Sequence, residues 1–337
     1  MSSQPVMASN AHPAPASHNV WSRDLISMRD FGPAEVQAVL DLASLMKARP
    51  VDFRGALAGK QLAMFFEKPS LRTRLTFEAG MASLGGVSFF VDQTQSRLGA
   101  REDLRDVAKN LERWVDVIVL RTFSQSTIEQ MAEYSSIPVI NALSDLEHPC
   151  QALADYFTLL ERFGDLRNVT LAYVGDGNNV AHSLMLACAA LGSTIRVATP
   201  ESHRPLARIV NEALELAQET GAHIEVLTDP KQAVSGADAV YTDTWASMGQ
   251  ENEMEQRLPI FAPYQVNEHL MTLADSHAVF MHCLPAHRGQ EVVADVIDSQ
   301  QSVVYDQAEN RMHVQKAVLS LLVGSGVTRF PARSAHV

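Results

Sequence analysis

Short apolar runs alternate with stretches of helical period along this chain. After Gly32-Pro33, apolar residues at Val36, Leu40, Ala43 and Met46 recur at helical spacing. Residues 62–66 (LAMFF), 87–91 (VSFFV) and 117–120 (VIVL) have the length and continuity of strands buried on both faces, and 138–140 reads as a fourth. Helices are predicted between them over 70–84, stopped by Gly85-Gly86, over 102–114 and over 127–134. A long helix follows over 149–163, with Pro149 at its first position. After a break at 164–168 the alternation resumes. Strands are predicted at 169–174, 194–198, 224–227, 239–242 and 279–282, and helices at 179–191, 205–219 and 314–322. Such alternation builds parallel sheets with helices on both faces. The expectation is an α/β chain of two domains, each a parallel β-sheet flanked by helices.

Length agrees, since 337 residues suit about two domains of roughly 150 residues each. The net charge of -12 argues against nucleic acid as the main partner. It also requires that any anionic substrate be held by a local group of cations. Three distant cysteines, Cys150, Cys188 and Cys283, do not make a disulfide framework, and neither a CxxC pair nor HExxH suggests a metal. No apolar run reaches the ~18 residues of a spanning helix, so no membrane partner is expected. Residues 1–20 are rich in Ser, Ala, Pro and His and lack a basic start, an apolar core and any Arg. They read as a disordered tail rather than a targeting signal, and the expected compartment is a reducing cytoplasm.

Parallel sheets bind ligands at the carboxyl ends of their strands, so the residues after each strand carry the chemistry. After 62–66 comes Glu67-Lys68-Pro69-Ser70-Leu71-Arg72-Thr73-Arg74, two hydroxyls and two guanidinium groups at a helix start. Free N–H groups there bind anions, and Arg adds bidentate recognition of phosphate. Arg121 ends the strand at 117–120, where it meets either an anion or an acidic partner. His148 and Gln151, in His-Pro-Cys-Gln, stand at another helix start, where a capping histidine would look the same. Val174-Gly175-Asp176-Gly177-Asn178-Asn179 invites a dinucleotide reading, but Val180 occupies the third glycine position, so the motif is weak. Asp243 opens Asp-Thr-Trp-Ala-Ser247-Met248-Gly249 and offers a carboxylate to an ammonium group. His282-Cys283-Leu284-Pro285 ends the last strand, and Glu309-Asn310-Arg311 precedes the final helix.

In this order, SLRTR, a strand-end Arg, HPCQ, DGNN, DTWASMG, HCLP and ENR resemble the aspartate/ornithine carbamoyltransferase family over roughly residues 21–325, and the Ser-Met-Gly segment marks its ornithine branch. The resemblance implies transfer of the carbamoyl group of carbamoyl phosphate to the side-chain amine of L-ornithine, without cofactor or metal. It implies a carbamoyl phosphate domain at 21–163, an ornithine domain at 164–310, and a segment 311–337 whose helix returns to the first domain before a tail. Ser70, Leu71, Arg72 and Thr73 would hold the phosphate, with Arg74 nearby. Thr73, Arg121, His148 and Gln151 would surround the carbamoyl group. Asn179, Asp243, Ser247 and Met248 would bind ornithine, and Cys283, Leu284 and Arg311 would close the site between domains. Arg121, His148, Asp243 and Cys283 are the catalytic candidates, with Cys283 beside the attacking amine. The Leu284–Pro285 peptide resembles one that is cis in the family, and the assembly implied is a homotrimer or a multiple of it.

Two positions depart from the family pattern. Glu147 stands where the ornithine branch often has an apolar residue, and Arg97 where many members have Gln or His that touches the phosphate of a neighbouring subunit. Three other readings compete: a transcarbamoylase for N-acylated ornithine or putrescine, a nicotinamide-dependent dehydrogenase, and a non-catalytic family member. An N-acylated substrate leaves Asp243 without an ammonium group, putrescine leaves the Ser247-Met248 turn without a carboxylate, and a dehydrogenase leaves SLRTR and HPCQ unexplained.

Overall fold

The chain was analysed as a computed structural model that describes residues 23–94, 97–246 and 251–324. The first unit runs α1 (Pro33–Ala48), β1 (Gln61–Phe66), α2 (Leu71–Ser83), β2 (Val87–Asp92), α3 (Leu104–Trp114), β3 (Val117–Arg121), α4 (Gln125–Tyr134), β4 (Val139–Leu143) and α5 (Pro149–Phe163). The second runs β5 (Thr170–Val174), α6 (Asn179–Leu191), β6 (Thr194–Ala198), α7 (Ala207–Thr220), β7 (His223–Leu227), α8 (Pro230–Val234), β8 (Ala239–Thr242), α9 (Met254–Phe261), α10 (Glu268–Met271), β9 (Val279–His282) and α11 (Ala294–Ile297). A long last helix, α12 (Val304–Val323), completes the described chain.

Two sheets result, ordered β2-β1-β3-β4 and β7-β6-β5-β8-β9, with every pairing parallel. The α/β expectation therefore holds. Side chains alternate faces along each strand. Leu62, Met64 and Phe66 join one core with α1, α2, α5 and α12, while Ala63 and Phe65 join another with α3 and α4. In the second sheet, Leu171 and Tyr173 face the first core and Ala172 and Val174 face away from it. The first core is thus continuous across both sheets. α5 lies in its middle, with every residue from Pro149 to Leu159 buried.

Several element bounds differ from the sequence reading. α12 begins at Val304, ten positions before the predicted 314, because its first turns carry polar residues that look solvent-facing in sequence. Gln307, Asn310 and Arg311 are in fact buried against the first domain. α3 starts at Leu104 because the Asp103 side chain accepts from the Arg105 N–H and caps it there. α8, α9, α10 and α11 have between four and eight residues, too short to show a period.

Candidate active site

In each sheet the strand order reverses once beside its first strand, between β1 and β3 and between β5 and β8. These switch points open crevices at the strands' carboxyl ends. The two crevices face one another around a cavity of about 450 Å³, lined by Ser70, Leu71, Arg72, Arg121, His148, Gln151 and Arg311 from one side and Asn179, Asp243, Cys283 and Leu284 from the other.

The first wall is cationic. Ser70 caps α2: its Oγ accepts from the Thr73 N–H at 3.3 Å and donates to Thr73 Oγ1 at 3.0 Å. Leu71 and Arg72, in the first turn of α2, line the cavity, and a helix start leaves N–H groups free for an anion. Arg121 is 5% exposed, and its Nε donates to the Lys68 carbonyl at 3.1 Å, its one hydrogen bond among the described residues. Burial, and then the neighbouring Arg311, push its guanidinium down to about 9. Arg311 donates to Thr73 Oγ1 at 2.6 Å, while its Nε is buried without a partner among the described residues. His148 is held by its backbone N–H, which donates to Ser183 Oγ at 2.9 Å. Burial, with Arg311 and Arg121 beside it, holds the imidazole well below its usual range, so the ring is neutral. Its Nδ1 is also unpartnered. Buried cations around one cavity, with polar atoms unpaired among the described residues, are the mark of a site shaped for an anion rather than of a satisfied core.

The second wall is anionic at its centre. Asn178, not Asn179, caps α6, its Oδ1 accepting from the Val180 and Ala181 N–H groups. Asn178 Nδ2 then donates to Asp243 Oδ2 at 2.8 Å. The Cys283 thiol donates to Asp243 Oδ1 at 3.0 Å, and burial followed by the Asp243 charge pushes the thiol well above its usual range. Asn179 instead donates to the Ser144 carbonyl at 2.6 Å, tying α6 to the first domain. Leu284 has φ 59° and precedes a cis bond to Pro285. Asp243, His282 and Cys283 bring three ligand-type atoms within 4.8 Å of one another. Both His282 nitrogens are already engaged, Nδ1 accepting from the Leu284 N–H and Nε2 against Glu291.

Some predicted residues lie elsewhere. Arg74 turns away from the cavity, stacking 3.9 Å from the Phe90 ring centre and pairing with Glu78 at 2.9 Å. The reason is helical: residues two apart do not share a face, so only Arg72 can aim inward. Thr73 does not line the cavity but braces Arg311. Arg97 is exposed and sits over the Phe123 ring at 4.5 Å, outside the cavity of its own chain. Ser247 and Met248, like the tail at 1–20, lie outside the described residues.

Sequence reasoning missed Lys68, Asp155, His287 and Gln307. Lys68 and His287 line the cavity. Asp155 accepts from Gln151 Nε2 at 2.7 Å and from Gln307 Nε2 at 2.6 Å, and burial pushes its carboxyl up to about 7. The available signal was spacing: Asp155 is four residues after Gln151, on the same helical face. Glu147 proves to be a buried brace. It accepts from Ser27 Oγ at 2.5 Å, the Met28 N–H at 3.0 Å and Ser183 Oγ at 3.1 Å, and burial raises its carboxyl.

Residues 23–161 match the carbamoyl-P binding domain of aspartate/ornithine carbamoyltransferase, and residues 167–322 match its Asp/Orn binding domain. The chain belongs to the aspartate/ornithine carbamoyltransferase family. Within it, the chain is 50% identical over 313 residues to the ornithine carbamoyltransferase of Pyrococcus horikoshii, covering 91% of this chain and 98% of that one. It is 52% identical over 303 residues to the ornithine carbamoyltransferase of Symbiobacterium thermophilum, covering 89% and 98%. Its fold is similar to that of the solved ornithine carbamoyltransferase of Pyrococcus furiosus, with a TM-score of 0.87, 49% identity, and 90% and 97% of the chains covered.

Proposed function

We propose that the cavity transfers the carbamoyl group of carbamoyl phosphate to the side-chain amine of L-ornithine, giving L-citrulline and phosphate. The observation that carries this is the pairing of a buried cationic wall and a carboxylate–thiol pair across one cavity. The amine nitrogen bonds to the carbamoyl carbon, charge grows on the carbonyl oxygen, and the bond from carbon to the phosphate oxygen breaks. Arg121, Arg311 and neutral His148 would stabilise that oxygen, where fixed donors in a dry site act most strongly. Gln151 would accept from the carbamoyl NH2. The helix start at Ser70-Leu71-Arg72-Thr73 would take the phosphate.

Only the neutral amine attacks. With a pKa of roughly 10.4, about one molecule in a thousand is neutral near pH 7.4. Asp243 would hold the α-ammonium and stay charged, and the proton that the amine loses would leave on the departing phosphate oxygen. Cys283, whose thiol proton is committed to Asp243 Oδ1 at 3.0 Å, would turn its sulfur lone pairs to the attacking amine. Asn179, Ser247 and Met248 would complete the ornithine headgroup site. On this reading residues 21–163 serve carbamoyl phosphate and 164–310 serve ornithine, except that the return to the first domain, expected from 311, already starts within α12 at Gln307 and Asn310.

The assembly proposed is a homotrimer. In support, Leu71, Leu75, Val87, Phe89 and Trp114 are exposed on α2, the edge strand β2 and the end of α3, an apolar display unusual for a monomer. Arg97, at the same edge, would reach a neighbour's phosphate site. No helix among the described residues is long and apolar enough to cross a membrane, and the three free cysteines support a reducing cytoplasm. The Pyrococcus furiosus relative, 49% identical, is named as an anabolic enzyme, which supports citrulline synthesis as the working direction. The test is citrulline formation from carbamoyl phosphate, with ornithine, acetylornithine, putrescine and aspartate compared. Turnover with ornithine alone is expected, and preference for any of the others would overturn the assignment.

A further inference from the structure

Gln151 presents an amide to the cavity, and an amide has two ends of nearly equal size. Sterics cannot choose between an acceptor and a donor facing the ligand, so a neighbouring group must. In this structure Gln151 Nε2 points away from the ligand space, donating to Asp155 Oδ1 at 2.7 Å, and Oε1 is buried without a partner among the described residues. The reversed amide would set Oε1 against Oδ1, acceptor against acceptor. The same Oδ1 also accepts from Gln307 Nε2 at 2.6 Å, so Gln307 Oε1 is left to accept from the His282 N–H at 3.0 Å. Gln151, Asp155 and Gln307 are each 1% exposed or less, so water does not compete for these bonds. Oδ2 takes neither amide, and a proton carried there leaves Oδ1 an acceptor still.

We propose that Asp155 is a positioning residue for acyl-group recognition: its Oδ1 fixes the Gln151 amide with the acceptor oxygen toward the ligand, so that the cavity demands an N–H on the group to be transferred. This rests on the carbamoyl phosphate reading above. A site built around a fixed acceptor rejects a ligand that carries a methyl group there, because the acceptor is left buried and unpaired. If the amide could swing, that rejection would relax.

The experiment is calorimetry on the full chain with carbamoyl phosphate and with acetyl phosphate, which has CH3 in place of NH2. The wild-type chain should prefer carbamoyl phosphate by on the order of ten- to a hundredfold. Asp155→Leu, of similar size but without an acceptor, should cut that preference by about tenfold. Asp155→Asn, which can keep an oxygen at the Oδ1 position, should retain it within about threefold. Should the Leu variant not fold, Asp155→Ser, too short to reach both amides, is read by the same ratio. A folded Leu or Ser variant that weakens both ligands equally, or neither, would overturn the inference. Failure of the wild-type chain to bind carbamoyl phosphate would instead overturn the reading on which it rests, and this inference with it.

Discussion

Single side chains divide the cavity into parts that can be lost separately. Arg72 faces the anion side from the first turn of α2, and its removal leaves developing phosphate charge without a partner. Arg72→Ala should lower kcat/KM by at least about a hundredfold, and steady-state kinetics with carbamoyl phosphate varied would check it. Asp243 belongs to the other wall, held by Asn178 and Cys283. Asp243→Asn should weaken ornithine while carbamoyl phosphate binding stays nearly unchanged, as calorimetry on each ligand would report. Asp155 carries a pH signature of its own. Its carboxyl sits at about 7 in the folded chain against an ordinary 3.8, so the folded state holds a proton that the unfolded state has released. Stability from this group is therefore fully present below about pH 4 and falls as pH rises through about 7. Asp155→Asn removes that slope, and melting temperatures of the two chains should converge or cross as pH is raised from about 5 to about 8.

At the scale of elements, the turn from β5 into α6 shows why a glycine motif can mislead. Gly177 is followed not by a pyrophosphate-binding helix start but by Asn178, whose own side chain occupies the first turn. Gly177 is there for packing: a Cβ would lie 2.2 Å from the Pro205 nitrogen and 2.5 Å from the Arg204 carbonyl carbon, backbone atoms that cannot swing aside. Gly177→Ala should push the turn off its seat, lower the melting temperature by several degrees, and weaken ornithine more than carbamoyl phosphate, since Asn178 holds Asp243. Strands and their order of use were legible in the sequence because buried parallel strands are unbroken apolar runs, and the residues beyond their ends carry little else to do. Helix interiors were less legible. The buried polar face of α12, with Gln307 and Arg311, looks in sequence like a solvated one, and Asp155 is hidden within a run whose period reads as core. Arg74, expected only near the phosphate, could not be told from Arg72 in sequence, because two like charges in one motif look the same until a helix turns them apart.

At the scale of the whole molecule, the proposed trimer would share its sites between chains. Arg97→Ala and Arg72→Ala trimers should each be severely impaired. Dissociated, mixed and reassembled, some interfaces would join an intact Arg97 to an intact Arg72 and recover a minority of wild-type activity. Verified mixed trimers without recovery would return Arg97 to its own chain. Within one subunit the path of the chain has a further meaning. It passes from the first sheet to the second after α5, and α12 carries it back to pack on α1, α2 and α5. Side-chain bonds cross as well: the His148 N–H donates to Ser183 Oγ, and the Asn179 amide donates to the Ser144 carbonyl. With one apolar core running through both sheets, the anion wall and the amine wall are braced on each other. The spacing of the two reactants is therefore set by the same packing that builds each wall, so a cavity cut into that shared core should disturb both ligands together.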